Sequence, residues 1–98
     1  MYIVRNIFKL RFDSFKDVKI LLDEAYSKGL LPDVKSARIL SGFTGDSYRL
    51  IFEEGYDSLA EYENLLTEHI NKPTWKKWYE KFKVHVTGNQ REILRQVM

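Results

Sequence analysis

The chain has 98 residues, 44% of them hydrophobic and 31% charged, with 16 Lys and Arg against 14 Asp and Glu. This suits a single globular domain, 1–98, with one modest core. The net charge of +2 is too small to predict attraction to nucleic acid or to a membrane. The lack of cysteine excludes disulfides and thiolate metal sites, and no apolar run nears the roughly 20 residues of a membrane span. Met1 leads directly into a strand pattern, so the expectation is a cytoplasmic protein without a leader peptide.

Residues Tyr2 to Phe12 alternate. Tyr2, Val4, Phe8, Leu10 and Phe12 share one parity, with Asn6 the polar intruder; Ile3, Arg5, Ile7, Lys9 and Arg11 share the other. Asp13 or Ser14 can cap a helix running to Lys28. Its stripe is Phe15, Val18, Leu21, Leu22, Ala25 and Tyr26; Gly29 suits its C-terminal position and Pro32 its stop. Val34 to Phe43 reads as a strand, Thr44-Gly45-Asp46 as a turn, and Ser47 to Glu53 as the returning strand, closed by Gly55. Ser58 and Glu61 make a capping-box pattern before a second helix, whose stripe is Leu59, Tyr62, Leu65, Leu66 and Ile70. Asn71-Lys72-Pro73 ends that helix. Thr74 then caps a short third helix, WKKWYEKF, in which Trp75, Trp78, Tyr79 and Phe82 recur at helical spacing. Lys83 to Thr87 begins a last strand, Gly88-Asn89-Gln90 bends it, and it continues through Val97.

The order β-α-β-β-α-β is the ferredoxin-like arrangement, an α+β fold with a four-stranded antiparallel sheet and helices on one face. The opposite face carries Ile3, Arg5, Ile7, Lys9, Arg38, Leu40, Arg49 and Ile51, with His85 and Thr87 expected there too. Isoleucines spread over adjacent strands make a patch, and a second copy laid face to face would cover it. The expectation is a homodimer through the sheet face. The alternative is a monomer whose arginine stems cover the isoleucines.

The opening YIVRNIF, the aromatic segment PTWKKWYEKF and the closing GNQREILRQV resemble the dimeric α/β-barrel superfamily, and within it the small uncharacterised NIPSNAP-like proteins. The resemblance spans essentially the whole chain. It implies a homodimer whose two sheets close into one barrel, and a relation to antibiotic-biosynthesis-type monooxygenases. Those need no dedicated cofactor, because the bound organic molecule carries the reactivity. The haem-degrading branch uses an asparagine on the first strand, then a tryptophan followed by a histidine. Asn6 fits the first, but His69 precedes Trp75 and Trp78, so haem degradation is not expected.

The candidate site residues follow from the mixed face and the aromatic segment. Arg5 and Arg49, on the two central strands, could clamp an anion, and Ile7 and Ile51 could hold its apolar part. Their other reading is ion pairing across the dimer with Glu53 or Glu92. His85, the sole histidine expected on that face, is the candidate acid or base. Asn6 points nominally to the other face and joins a pocket only if the strand twists; otherwise backbone groups satisfy it. Trp75 and Trp78 read as core, or as a lid over a ligand. His69 reads as a helix-end cap rather than a catalytic group. Two histidines without a carboxylate at ligand spacing make no metal site.

Three function classes remain. One is a small-molecule enzyme of the cofactor-free oxygenase type, binding an anionic or apolar organic molecule. Another is a non-catalytic structural or regulatory dimer. The third, an RNA-recognition module, is disfavoured because DSYRLIFE lacks the Gly-aromatic pattern that stacks bases.

Overall fold

The computed structural model describes residues 1–31, 34, 36–42 and 48–98. The expected stop at Pro32, the turn at Thr44-Gly45-Asp46 and the facing ends of the two strands lie outside the described residues. The elements run β1 (Tyr2–Leu10), α1 (Phe15–Ser27), β2 (Ser36–Ser41), β3 (Arg49–Tyr56), α2 (Leu59–Ile70), α3 (Pro73–Lys83) and β4 (Val86–Arg95). The sheet is antiparallel with strand order β2-β3-β1-β4. This is the ferredoxin-like α+β fold, with the short third helix inserted before the last strand. No described helix is long and apolar enough to cross a membrane.

Parity on β1 sorts the two faces as the alternation predicts. Val4, Phe8 and Leu10 are buried under the helices, with Leu50 and Tyr56 of β3 beside them. Two core clusters result. One gathers Phe8, Leu10, Val18, Leu22, Ala25, Leu50, Trp78 and Phe82; the other holds Val4, Tyr56 and Tyr62. Trp78 is 2% exposed, and its indole N–H donates to the Leu21 carbonyl at 2.8 Å, tying α3 to α1. An indole buried with its donor satisfied is a strong anchor.

The helix ends show which caps are real. Ser58 Oγ accepts from Glu61 N at 3.2 Å, and the Glu61 carboxylate accepts from Asp57 N at 2.8 Å. Gly29 takes φ +64°, the left-handed value a helix terminus asks of glycine. Ser14 precedes α1 without capping it; its hydroxyl bonds His85 Nδ1 at 3.0 Å instead. Lys72, not Thr74, is the N-cap of α3, because Pro73 takes the first helical position, where its missing N–H costs nothing.

Several expected boundaries and burials move. β3 runs past Gly55 to Tyr56. Gly55 sits there because a Cβ would come within 2.4 Å of Ser36 Oγ and 2.9 Å of Met1 Cε. The irregularity of β4 lies at Thr87, not Gly88-Asn89-Gln90: Lys9 pairs with Gly88 and Leu10 with Val86, so one residue is skipped. Lys83 belongs to α3 and His85 precedes the strand. Phe12 is 72% exposed because β1 ends at Leu10, and Tyr48, expected inside, is 41% exposed with its ring set edge-on to Phe12. Phe15, Tyr26, Leu59 and Ile70 are exposed at the margins of their helical stripes.

Candidate functional site

The open face of the sheet is an ion-pair network framed by aliphatic residues. Register places Arg5 opposite Glu53 on one side and Glu92 on the other, and Arg38 opposite Glu53. Arg5 Nε and Nη2 donate to Glu53 Oε2 at 3.2 and 3.0 Å, Arg5 Nη1 lies 3.6 Å from Glu92, and Arg38 donates to the other Glu53 oxygen. Glu53 is 8% exposed in its side chain, covered by the guanidinium groups it binds. The bond from Arg38, then the bond from Arg5, hold its carboxyl below the ordinary value against the opposing effect of burial.

The predicted clamp is therefore not assembled. Arg5 is engaged by Glu53 and Glu92 of its own chain, the carboxylates its other reading named, but within the chain rather than across a dimer. Arg49 shares the face but lies over Gly42, at the far end of β3 from Glu53. His85 sits beside Ser14 at the start of α1 and does not join them. Its position follows from α3 running to Lys83, which holds His85 in the helix-to-strand junction.

A cavity of about 520 Å³ lies on the other side of the sheet, between the two core clusters. The Tyr56–Tyr62 pair props α2, and the Phe8–Phe82 and Trp78–Phe82 pairs prop α3. The space between these props is the cavity. Asn6 and Phe8 line it from β1, and Phe52, Glu54 and Tyr56 from β3. From α2 come Tyr62, Leu65, Leu66 and His69; from α3, Trp75, Trp78 and Tyr79. Three residues expected at a ligand site, Asn6, Trp75 and Trp78, thus share one wall system, on the opposite side of the sheet from Arg5 and Arg49.

The cavity is apolar in bulk, with polar groups at two ends. At one end the Tyr56 hydroxyl donates to the Glu54 carboxylate, and Arg91 Nε donates to Asn6 Oδ1 at 2.8 Å. Burial pushes the Glu54 carboxyl above its usual range, with the Tyr56 bond and Arg91 acting the other way. Burial likewise pushes up the Tyr56 and Tyr62 hydroxyls, so both stay protonated at neutral pH. At the other end His69 is 8% exposed and its ring lies 4.7 Å from that of Trp75. Burial first, then Lys72, lowers its pKa, while a hydrogen bond with the Leu30 backbone acts upward. The ring is neutral. A neutral imidazole has one donor and one acceptor nitrogen. Among the described residues, Tyr62 Oη and His69 Nε2 are buried polar atoms without a hydrogen-bond partner.

Sequence reasoning missed Glu54, Tyr62 and His69 as site residues. The signal for Glu54 was parity: it shares the apolar register of Leu50, Phe52 and Tyr56, as Asn6 does on β1, but the strand was ended too early to include it. His69 falls seven residues after Tyr62, on the same helical stripe, and was read only for its closeness to the helix end.

No family model matches the chain, and no curated protein sequence matches it. Solved structures do. A NIPSNAP family protein with unknown function from Agrobacterium tumefaciens superposes with a TM-score of 0.88 at 9% identity, covering 98% of this chain and 87% of the other. An uncharacterised NIPSNAP-like domain protein from Burkholderia xenovorans gives 0.88 at 14% identity, covering 98% and 84%. The fold is shared with NIPSNAP-like proteins. A putative antibiotic biosynthesis monooxygenase from Nitrosomonas europaea follows at 0.74 and 14% identity, covering both chains in full. At such identities the likeness concerns the fold.

Proposed function

We propose that this chain is a small-molecule-binding protein whose ligand, an apolar organic molecule, occupies the cavity between the sheet and helices α2 and α3. The observation that carries this reading is a cavity of about 520 Å³ walled by aromatic rings, with buried polar atoms lacking partners in its lining. That size and mixture are typical of pockets for small organic ligands. The fluorescent probe N-phenylnaphthylamine should bind the protein with enhanced emission. Leu66→Trp, which fills the cavity from α2, should abolish that binding while the fold remains intact by circular dichroism. Equal binding by the variant would refute the reading.

The protein acts as a homodimer through the open sheet face. Ile3, Ile7, Leu40, Ile51 and Leu94 flank the Arg38–Glu53–Arg5–Glu92 network in register. The charges there neutralise one another within the protomer, which lowers the cost of covering them. Light scattering should report twice the chain mass, and Ile7→Glu, which sets an unpaired charge on that face, should reduce it to one. A wild-type protein of single-chain mass at micromolar concentration would refute the dimer.

Cofactor-free oxygenation of the bound molecule is the second reading, by analogy with the fold of the putative monooxygenase. The favouring observation is the His69 ring on the cavity wall, which burial holds toward its neutral form and which could accept a proton from an acidic group of a ligand. Dioxygen uptake with bound ligand separates this from a dimer that only binds.

A further inference from the structure

Tyr62 and His69 lie on the same helix seven residues apart, about 10 Å along its axis. Between them the walls are apolar: Leu65 and Leu66 on α2, Phe52 below on the sheet. Each end carries one polar atom without a partner. The Tyr62 hydroxyl can donate or accept, and His69 Nε2 accepts when the ring proton sits on Nδ1. Arg91 and Glu54 act on Tyr62 in opposite senses, and at the other end Lys72 disfavours a cation. Arg38, Lys76 and Glu80 also line the cavity.

From this arrangement we infer that the cavity selects an elongated molecule with an apolar body, a hydroxyl that donates to His69 Nε2 at one end and a carbonyl that accepts from Tyr62 Oη at the other. The inference rests on the reading that the cavity binds an organic molecule, and narrows its ligand class. A neighbouring ring stands beside each residue: the Trp75 centroid is 4.7 Å from that of His69, and the Tyr56 centroid 5.2 Å from that of Tyr62. Binding at the His69 end is therefore read by Trp75 emission.

The test uses three probes that differ in one polar end: para-hydroxychalcone, its para-methoxy ether, which lacks the donor, and para-hydroxystilbene, which lacks the carbonyl. Each is titrated against bound N-phenylnaphthylamine and followed in parallel by tryptophan emission. Para-hydroxychalcone should bind about tenfold more tightly than either analogue. His69→Phe should remove the preference over the ether and keep the preference over the stilbene; Tyr62→Phe, nearly the same shape as the native residue, should do the reverse. If the dye binds but the three probes compete equally, or if the preferences survive both substitutions, the two-ended ligand is wrong and the binding cavity stands. Failure of the dye and all three probes to bind the native protein would remove both. Should His69→Phe not fold, the wild-type ranking and Tyr62→Phe still decide the outcome.

Discussion

The two faces of one sheet solve opposite problems. On the open face, polar groups are neighbours in register, so each finds a partner: Glu53 sits between Arg38 and Arg5, and Arg5 reaches Glu92 as well. On the helix face, large rings hold the layers apart and leave polar atoms stranded at Tyr62 and His69. A face whose charges are satisfied within the protomer is suited to being covered. A face with unsatisfied atoms around a cavity is suited to being filled. The teaching is that the mixed Ile/Arg pattern gave a surface of paired charges, while the cavity lies where the aromatic residues had read as core.

The largest expected effect lies on the helix face. Trp78→Ala removes a fully packed indole and its bond to Leu21, and should lower unfolding free energy by about 3–5 kcal/mol in chemical denaturation. A loss below about 1 kcal/mol would mean that the two core clusters stand without this prop. On the open face, Glu53→Gln should destabilise by about 1–2 kcal/mol, a smaller cost because Arg38 is largely exposed and both arginines can turn to water. The native protein should also lose stability as pH falls below the ordinary carboxylate value, through the lowered pKa of Glu53, and Glu53→Gln should lack that part of the loss.

The smallest effect sharpens the contrast at the cavity. His69 has a lowered pKa, so the folded state resists protonation that the unfolded chain accepts. Stability is full above 6.5 and falls as pH drops from there through the folded value. His69→Phe should flatten that slope in urea midpoints measured above the carboxylate range. An unchanged slope would mean that His69 is protonated alike in both states.

Much of this fold was legible in sequence because it depends on period and punctuation. Val4, Phe8 and Leu10 alternate, and Ser58 and Glu61 stand at capping distance; both behave as read. What failed depends on where a period stops. Phe12 and Tyr48 keep the core parity but fall outside the strands, and Glu54 falls inside one read too short. The site was harder still. Asn6, Trp75 and Trp78 announced themselves as a broken alternation and a dense aromatic run. His69 and Tyr62 look like ordinary stripe residues until the third helix is placed. Their lack of partners is a property of the packing between helices, which no local pattern encodes.

The register of β1 also constrains how the molecule is made. This strand is central, held by β3 on one side and β4 on the other, and its bond between Asn6 and Arg91 spans 85 residues of sequence. During synthesis β1 emerges before β4 and keeps a bare edge until β4 follows. Contacts of such long range form slowly, because the intervening loop must close before they contribute. The nascent chain therefore passes through a stage in which an apolar strand offers unpaired amides to any neighbour. Heat shock or rapid overproduction would catch the protein at that stage, and a chaperone that shields the edge of β1 would raise its yield more than one that acts on the folded form.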